Sequence, residues 1–145
     1  MAADQENLYS IAVGLDGSDS SWKAFDEALK QAALKNAKLH IVSIQEEIEV
    51  SYSASEVLAS EKTARENLEK IQTKARHEAK DAGLNVVTAI AVGQSSPAMV
   101  DYVKKNKINL LIVGDTGHSS FLGNLLGTTA EKIVRQAPCS VLIVR

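Results

Sequence analysis

The residues of this chain whose types and spacing could do chemistry cluster in GDTGHSSFLGNLLGTTAE, from Gly114 to Glu131. Glycines let a backbone take positive φ and let a ligand approach the main chain closely, so Gly114, Gly117, Gly123 and Gly127 together could aim several N–H groups at one anion. Thr128 and Thr129 follow at once, where a helix start would add unpaired N–H groups and the favourable end of its dipole. Phosphate is the usual anion for such a loop. A simpler account is also open: Thr128 and Glu131 have the T-x-x-E spacing of a capping box, which a helix start alone would explain. Other phosphate loops do not fit, because there is no G-x4-G-K-S/T, no G-x-G-x-x-G and no lysine between Lys107 and Lys132. Asp16 is the second feature. It ends an apolar run at Asp16-Gly17, where it either accepts from a ligand or helps its serine neighbours cap a helix.

The elements that would position these residues alternate along the chain. Tyr9 to Leu15 reads as a first strand, with Ile11 and Val13 in the core, and a helix follows to about Asn36 with Trp22, Phe25 and Leu29 on its buried stripe. Leu39 to Ile44 is a second strand. The polar stretch from Gln45 to Ser55 lacks a period and reads as a long flexible loop near the ligand edge. A helix from about Ser55 to Ala82 should bury Leu58, Ala64, Leu68, Ile71, Ala75 and Ala79, ending at Gly83. Asn85 to Val92 is the third strand. Ser96 as N-cap with Pro97 at the first position starts a helix to about Asn106, burying Met99, Val103 and Tyr102. Asn109 to Val113 is a fourth strand, an unbroken apolar run of the kind buried on both faces of a parallel sheet. Thr129 to Gln136 is the last helix, and Cys139 to Val144 the fifth strand. Five strands alternating with helices predict an α/β fold, a mainly parallel open sheet covered on both faces.

Gly114, Gly117, Gly127 and Thr128 reproduce the G-x2-G-x9-G-S/T pattern of the nucleotide-binding branch of the universal stress protein family. The opening IAVGLDGSDSSWKAFDEAL resembles that family's first strand and helix, and EKIVRQAPCSVLIVR its last helix and strand. The resemblance spans roughly residues 8 to 145 and implies a Rossmann-like, adenine nucleotide alpha hydrolase-like sheet of order 3-2-1-4-5. It also implies bound ATP or a related adenine nucleotide, and Mg2+ stays open as a companion of ATP. In that order, Asp16 and Gly114 end adjacent strands at the point where the order reverses, the usual ligand crevice of such sheets. The implied roles follow. Gly114, Thr116, Gly117, Gly127, Thr128 and Thr129, with Val113 leading into them, face the phosphates. Asp16 faces the ribose or the adenine amino group. Main-chain groups of Val42 meet the adenine edge, and Gly14 or Leu15 lies beneath base or ribose. The chain departs from the pattern at Asp115-Thr116, where many members carry a basic residue. A carboxylate there opposes phosphate unless it turns away or shares a divalent cation with it.

Composition bounds the rest. The 145 residues, 45% of them hydrophobic, suit one domain with a polar tail at residues 1–7. A net charge of −2 from 16 basic and 18 acidic residues gives no basic surface for nucleic acid. The single cysteine, Cys139, allows no internal disulfide, no leader is legible, and no apolar run approaches the roughly 20 residues of a membrane span, so a cytoplasmic protein is expected. His40, His77 and His118 lie on different elements, and no lysine or arginine is placed to assist phosphoryl transfer, so hydrolysis should be absent or slow. The apolar fifth strand, at a sheet edge in the 3-2-1-4-5 order, invites a homodimer through residues 139–145.

Overall fold

The computed structural model describes residues 8–47, 53–116 and 126–145. Its strands are β1 (Ser10–Gly14), β2 (Lys38–Gln45), β3 (Asn85–Val92), β4 (Leu110–Gly114) and β5 (Ser140–Val144). Its helices are α1 (Asp19–Lys35), α2 (Ala54–Asp81), α3 (Ser95–Lys105) and α4 (Thr128–Gln136). The strands form one parallel sheet in the order β3-β2-β1-β4-β5, the order expected.

Period-two alternation sends successive side chains to opposite faces. Ile11, Val13, Leu39, Ile41 and Ile112 meet Ala24, Phe25 and Ala28 of α1 and Ala75 and Ala79 of α2. On the other face Ala12, Val42, Leu111 and Val113 meet Met99 and Val103 of α3 and Ile133 of α4. Burial on both faces is why the central strands are almost wholly apolar. No helix among the described residues is long and apolar enough to cross a membrane.

The helix ends show where local rules held and where they gave way. Ser18 caps α1 by accepting from Ser21 N at 3.2 Å, and Asn36 closes the helix in the left-handed region at φ 49°. Three expectations are corrected. The polar stretch 45–55 is not all loop: Gln45 still pairs in β2, and Ser53 with Glu56 builds a capping box that starts α2 at Ala54; residues 48–52 lie outside the described residues. Gln94, not Ser96, is the N-cap of α3, which puts Pro97 at the third position. First-turn N–H groups have no partner within the helix, so proline is accommodated there as well as at the first position. Leu58 is 66% exposed instead of buried, and Ala64, expected on the same stripe, is exposed as well. At 1.5 Å per residue the 28 residues of α2 run about 42 Å, while the eight of β3 span about 26 Å. The helix therefore outruns the sheet, and its first turns have no strand beneath them.

Two polar groups are sealed inside the layers. Gln72 of α2 is buried, and its Nε2 lies 3.1 Å from Ile41 O, 3.0 Å from Ala89 O and 2.8 Å from Ser43 Oγ, tying α2 across β2 and β3. On the opposite face His40 of β2 is 5% exposed, with Nδ1 2.7 Å from Tyr102 Oη of α3. Burial, with help from the positive charge of Lys38, lowers the His40 pKa from 6.5 to about 4. The fold thus holds this imidazole neutral, while the unfolded chain takes up a proton below pH 6.5. Stability from this group is complete above pH 6.5 and is lost as pH falls from 6.5 towards 4, by on the order of 2–3 kcal/mol. Chemical unfolding at pH 7 and pH 4.5 is expected to show a smaller loss in His40→Asn than in the wild type. An equal loss in both proteins would remove His40 from the account.

Candidate functional site

β1 is flanked by β2 on one side and β4 on the other, so the strand order reverses there and the two outgoing segments diverge at the carboxyl edge. In the β1–β4 register Val13 stands opposite Ile112, which sets Gly14 beside Val113. A Cβ on Gly14 would lie 3.4 Å from Val113 Cγ1 and 3.1 Å from Met99 Cε. Leu15 then donates its N–H to Val42 O at 2.9 Å, while its carbonyl accepts from Ser43 Oγ at 2.6 Å. The Val42 carbonyl is therefore already engaged within the sheet. Ile44, two residues on and on the same side of the strand, borders the same space.

Asp16 leaves β1 in a tight turn. Its Oδ1 accepts from Ser18 N at 2.9 Å and from Ser18 Oγ at 2.6 Å, while its own N–H donates to Ser21 Oγ. Support of the α1 cap is thus one established role of this carboxylate. Gly17 follows at φ +89°, and a Cβ there would stand 2.6 Å from Ile71 Cδ1, so both conformation and space call for glycine.

The β4 side is built around Ser20, in the first turn of α1. Its hydroxyl donates to Asp115 Oδ1 at 3.2 Å and accepts from Thr116 N at 3.3 Å. Gly114 lies directly beneath it: a Cβ would be 2.0 Å from Ser20 Oγ and 2.8 Å from the Ser20 carbonyl group. Beyond the loop, Gly127 N donates to Asp115 O at 2.7 Å, bringing the two loop ends together. Gly117 and His118 lie outside the described residues. The capping-box reading of Thr128 and Glu131 is not what forms: Gly127 is the N-cap, with no side-chain cap bond, and both threonines are exposed in the first turn of α4. The N–H groups of its first turn have no partner within the helix.

These pieces enclose a cavity of about 880 Å³, within the range of about 300–1,000 Å³ usual for small-molecule sites. Gly14, Leu15, Asp16, Val42, Val113, Gly114, Thr116, Gly127, Thr128 and Thr129 all line it. The overhanging part of α2 supplies a wall from Ala64, Asn67, Leu68 and Ile71, and Ser95 and Met99 of α3 supply another. Sequence reasoning missed those two walls. Asn67 had a signal, since it interrupts an apolar stripe at helical spacing; Ser95 had none, its neighbours reading as a helix start. The charged residues on the described lining are Asp16, Glu46, Asp115 and Lys70, with Ser95 Oγ donating to Glu46 Oε1. Among the described residues no three His, Cys, Asp or Glu side chains converge as a cation site.

The family model described as "Universal stress protein family" matches residues 9–145. The chain belongs to the universal stress protein family. A universal stress protein of Mycobacterium tuberculosis is 36% identical over 139 residues, covering 93% of this chain and 94% of that one. A universal stress protein solved in complex with cAMP has a TM-score of 0.74 and 33% identity, over 95% of this chain and 97% of its own. The universal stress protein UspA from Lactobacillus plantarum superposes with a TM-score of 0.78 at 28% identity, covering 95% and 98% of the two chains.

The two glycines that flank the loop differ in what they exclude. A methyl group at Gly114 meets main-chain atoms of a packed helix, so Gly114→Ala is expected to destabilise the fold by about 1–3 kcal/mol. At Gly127 a Cβ meets Asp115 O at 3.0 Å and Thr116 Cα at 3.3 Å, contacts that a few tenths of an ångström of loop movement relieve. Denaturant unfolding should therefore place Gly127→Ala within about 1 kcal/mol of wild type and Gly114→Ala well below both. The reverse order would show that the Ser20–Gly114 contact is not the tighter one.

Proposed function

We propose that the protein binds an adenine nucleotide in this cavity and works, as a single domain in the cytoplasm, as a regulatory or stress-response module. The observation that carries this reading is the open N-terminus of α4 inside a cavity that also contains Asp16. First-turn N–H groups that have no partner within the helix, beside the Thr128 and Thr129 hydroxyls, are a donor set suited to phosphate. Asp16 offers acceptor oxygens for sugar hydroxyls, and the apolar side chains of Ile44 and Leu68, which border the cavity, suit a planar base. The 33% identical family member solved with cAMP supports an adenine nucleotide as the ligand class.

ATP is the finer reading that the glycine spacing suggests, and Mg2+ would accompany it, because Asp16 and Asp115 oppose a bare triphosphate. Phosphoryl transfer calls for a cation on the phosphates and a group that orients the attacking water. Lys70 is the one basic side chain on the described lining, so hydrolysis in this reading is slow or absent. Calorimetric titration is expected to give saturable heat with AMP, and with ATP in the presence of Mg2+, with Asp16→Ala weakening ATP more than inorganic triphosphate. Equal weakening of both ligands would remove Asp16 from the nucleoside half of the site.

The same proposal includes a homodimer through residues 139–145. β5 is an edge strand whose residues Val141 to Val144 are only half-buried. Val144 O accepts from Asp115 N at 3.0 Å, so the main-chain groups of Val144 and Leu142 face β4. Those of Val141 and Ile143 face outward, where a two-fold related copy could pair with them. Ile143→Pro removes an outward N–H and leaves the β4 ladder intact. Light scattering should find a dimer in the wild type and a monomer in Ile143→Pro with an unchanged circular dichroism spectrum; a wild-type monomer at tens of micromolar would end the proposal.

A further inference from the structure

We infer that Asp115 makes the cavity selective by charge, favouring adenine nucleotides with one phosphate, linear or cyclic, over di- and triphosphates when no divalent cation is present. The inference rests on the nucleotide-binding reading above and adds to it a residue that ranks the ligands.

The position of Asp115 is tightly fixed. Its N–H is held by Val144 O and its carbonyl by Gly127 N, so the residue abuts the start of α4 where the proposed phosphate donors lie. Its carboxylate accepts from Ser20 Oγ, and that same oxygen accepts from Thr116 N. Ser20 belongs to a helix packed on Gly114, so the carboxylate is anchored to the rigid body of the domain.

The charge balance then decides which anions the site tolerates. The described lining carries three carboxylates, those of Asp16, Glu46 and Asp115, against the single ammonium of Lys70. The sequence holds neither lysine nor arginine between Lys107 and Lys132, so that stretch supplies no ammonium or guanidinium. Besides Lys70, an anion meets the helix end, equivalent to about half a positive charge, together with neutral hydroxyl and amide donors. That set matches a single phosphate. Each further phosphate adds negative charge that no additional cation meets and that Asp115 repels.

The test is titration calorimetry of the full chain with AMP, ADP and ATP, in EDTA and again with Mg2+. The proteins compared are wild type, Asp115→Asn and Asp115→Glu. Asparagine keeps an acceptor for Ser20 Oγ while removing the charge, and glutamate keeps the charge. In EDTA the wild type should bind AMP at least about tenfold more tightly than ATP. Asp115→Asn should tighten ATP about tenfold while moving AMP less than about threefold, and Asp115→Glu should keep the wild-type order. Three results would overturn the inference. One is an ATP-to-AMP ratio unchanged by Asp115→Asn. Another is a wild type that binds ATP most tightly with Mg2+ and loses that gain in Asp115→Asn, which would make Asp115 a cation ligand. The third, no binding of any of the three nucleotides under either condition, would overturn the nucleotide reading itself.

Discussion

The contact between the first turn of α1 and the end of β4 is the constraint on which the rest of this structure depends. With no side chain on Gly114, Ser20 settles directly onto the strand, and its hydroxyl bonds both Asp115 and Thr116. One helix start is thereby joined to two strand ends that are far apart in the chain. The turn carrying Asp16 and the loop that begins at Asp115 cannot drift independently, because each is fastened to α1. The cavity between them is a consequence of that fastening together with the reversal of strand order, which leaves no crossover helix to fill the gap at the carboxyl edge.

Around this joint the structure sets favourable and unfavourable electrostatics against each other. Among the described residues the starts of α3 and α4 have no side-chain cap, whereas α1 and α2 are capped by Ser18 and Ser53. Asp16 and Asp115 border the same cavity, their carboxylates accepting from Ser18 and Ser20 of the α1 start. The packed layers beneath are stiff, with Gln72 bridging two strands from one side and the His40–Tyr102 pair sealed on the other. A rigid floor suits a site whose ligand is positioned by main-chain groups.

The architecture was legible because its signals are local and periodic. Apolar runs such as Leu110 to Val113 and helical stripes such as Phe25 and Ala28 reflect burial that every parallel sheet imposes. The strand order itself was not legible from those periods and came from the resemblance to the family. Within the site, Asp16 and the glycine spacing could be named from sequence, while Gly14, Leu15 and Val42 were named only from the resemblance to the family; ten of these eleven residues border one cavity. Gly117, the eleventh, lies outside the described residues. Tertiary context decided what the sequence concealed. Leu58 matches the apolar stripe but has no strand beneath it, and Asn67 breaks the stripe where the helix passes over the cavity. Thr128 has the spacing of a cap, yet the hydrogen bond from Gly127 N to Asp115 O draws the loop end back and makes Gly127 the cap instead.

The central claim is that an adenine nucleotide sits at the carboxyl edge between β1 and β4, against the start of α4. Amide chemical-shift mapping of the labelled protein during titration with AMP tests it most directly. The account predicts that the largest saturable shifts fall on Leu15, Asp16, Asp115, Thr116 and Gly127 to Ala130, with β3 and the far ends of α1 and α2 unmoved. Shifts centred on β3, or a spectrum unchanged at millimolar AMP, would contradict it.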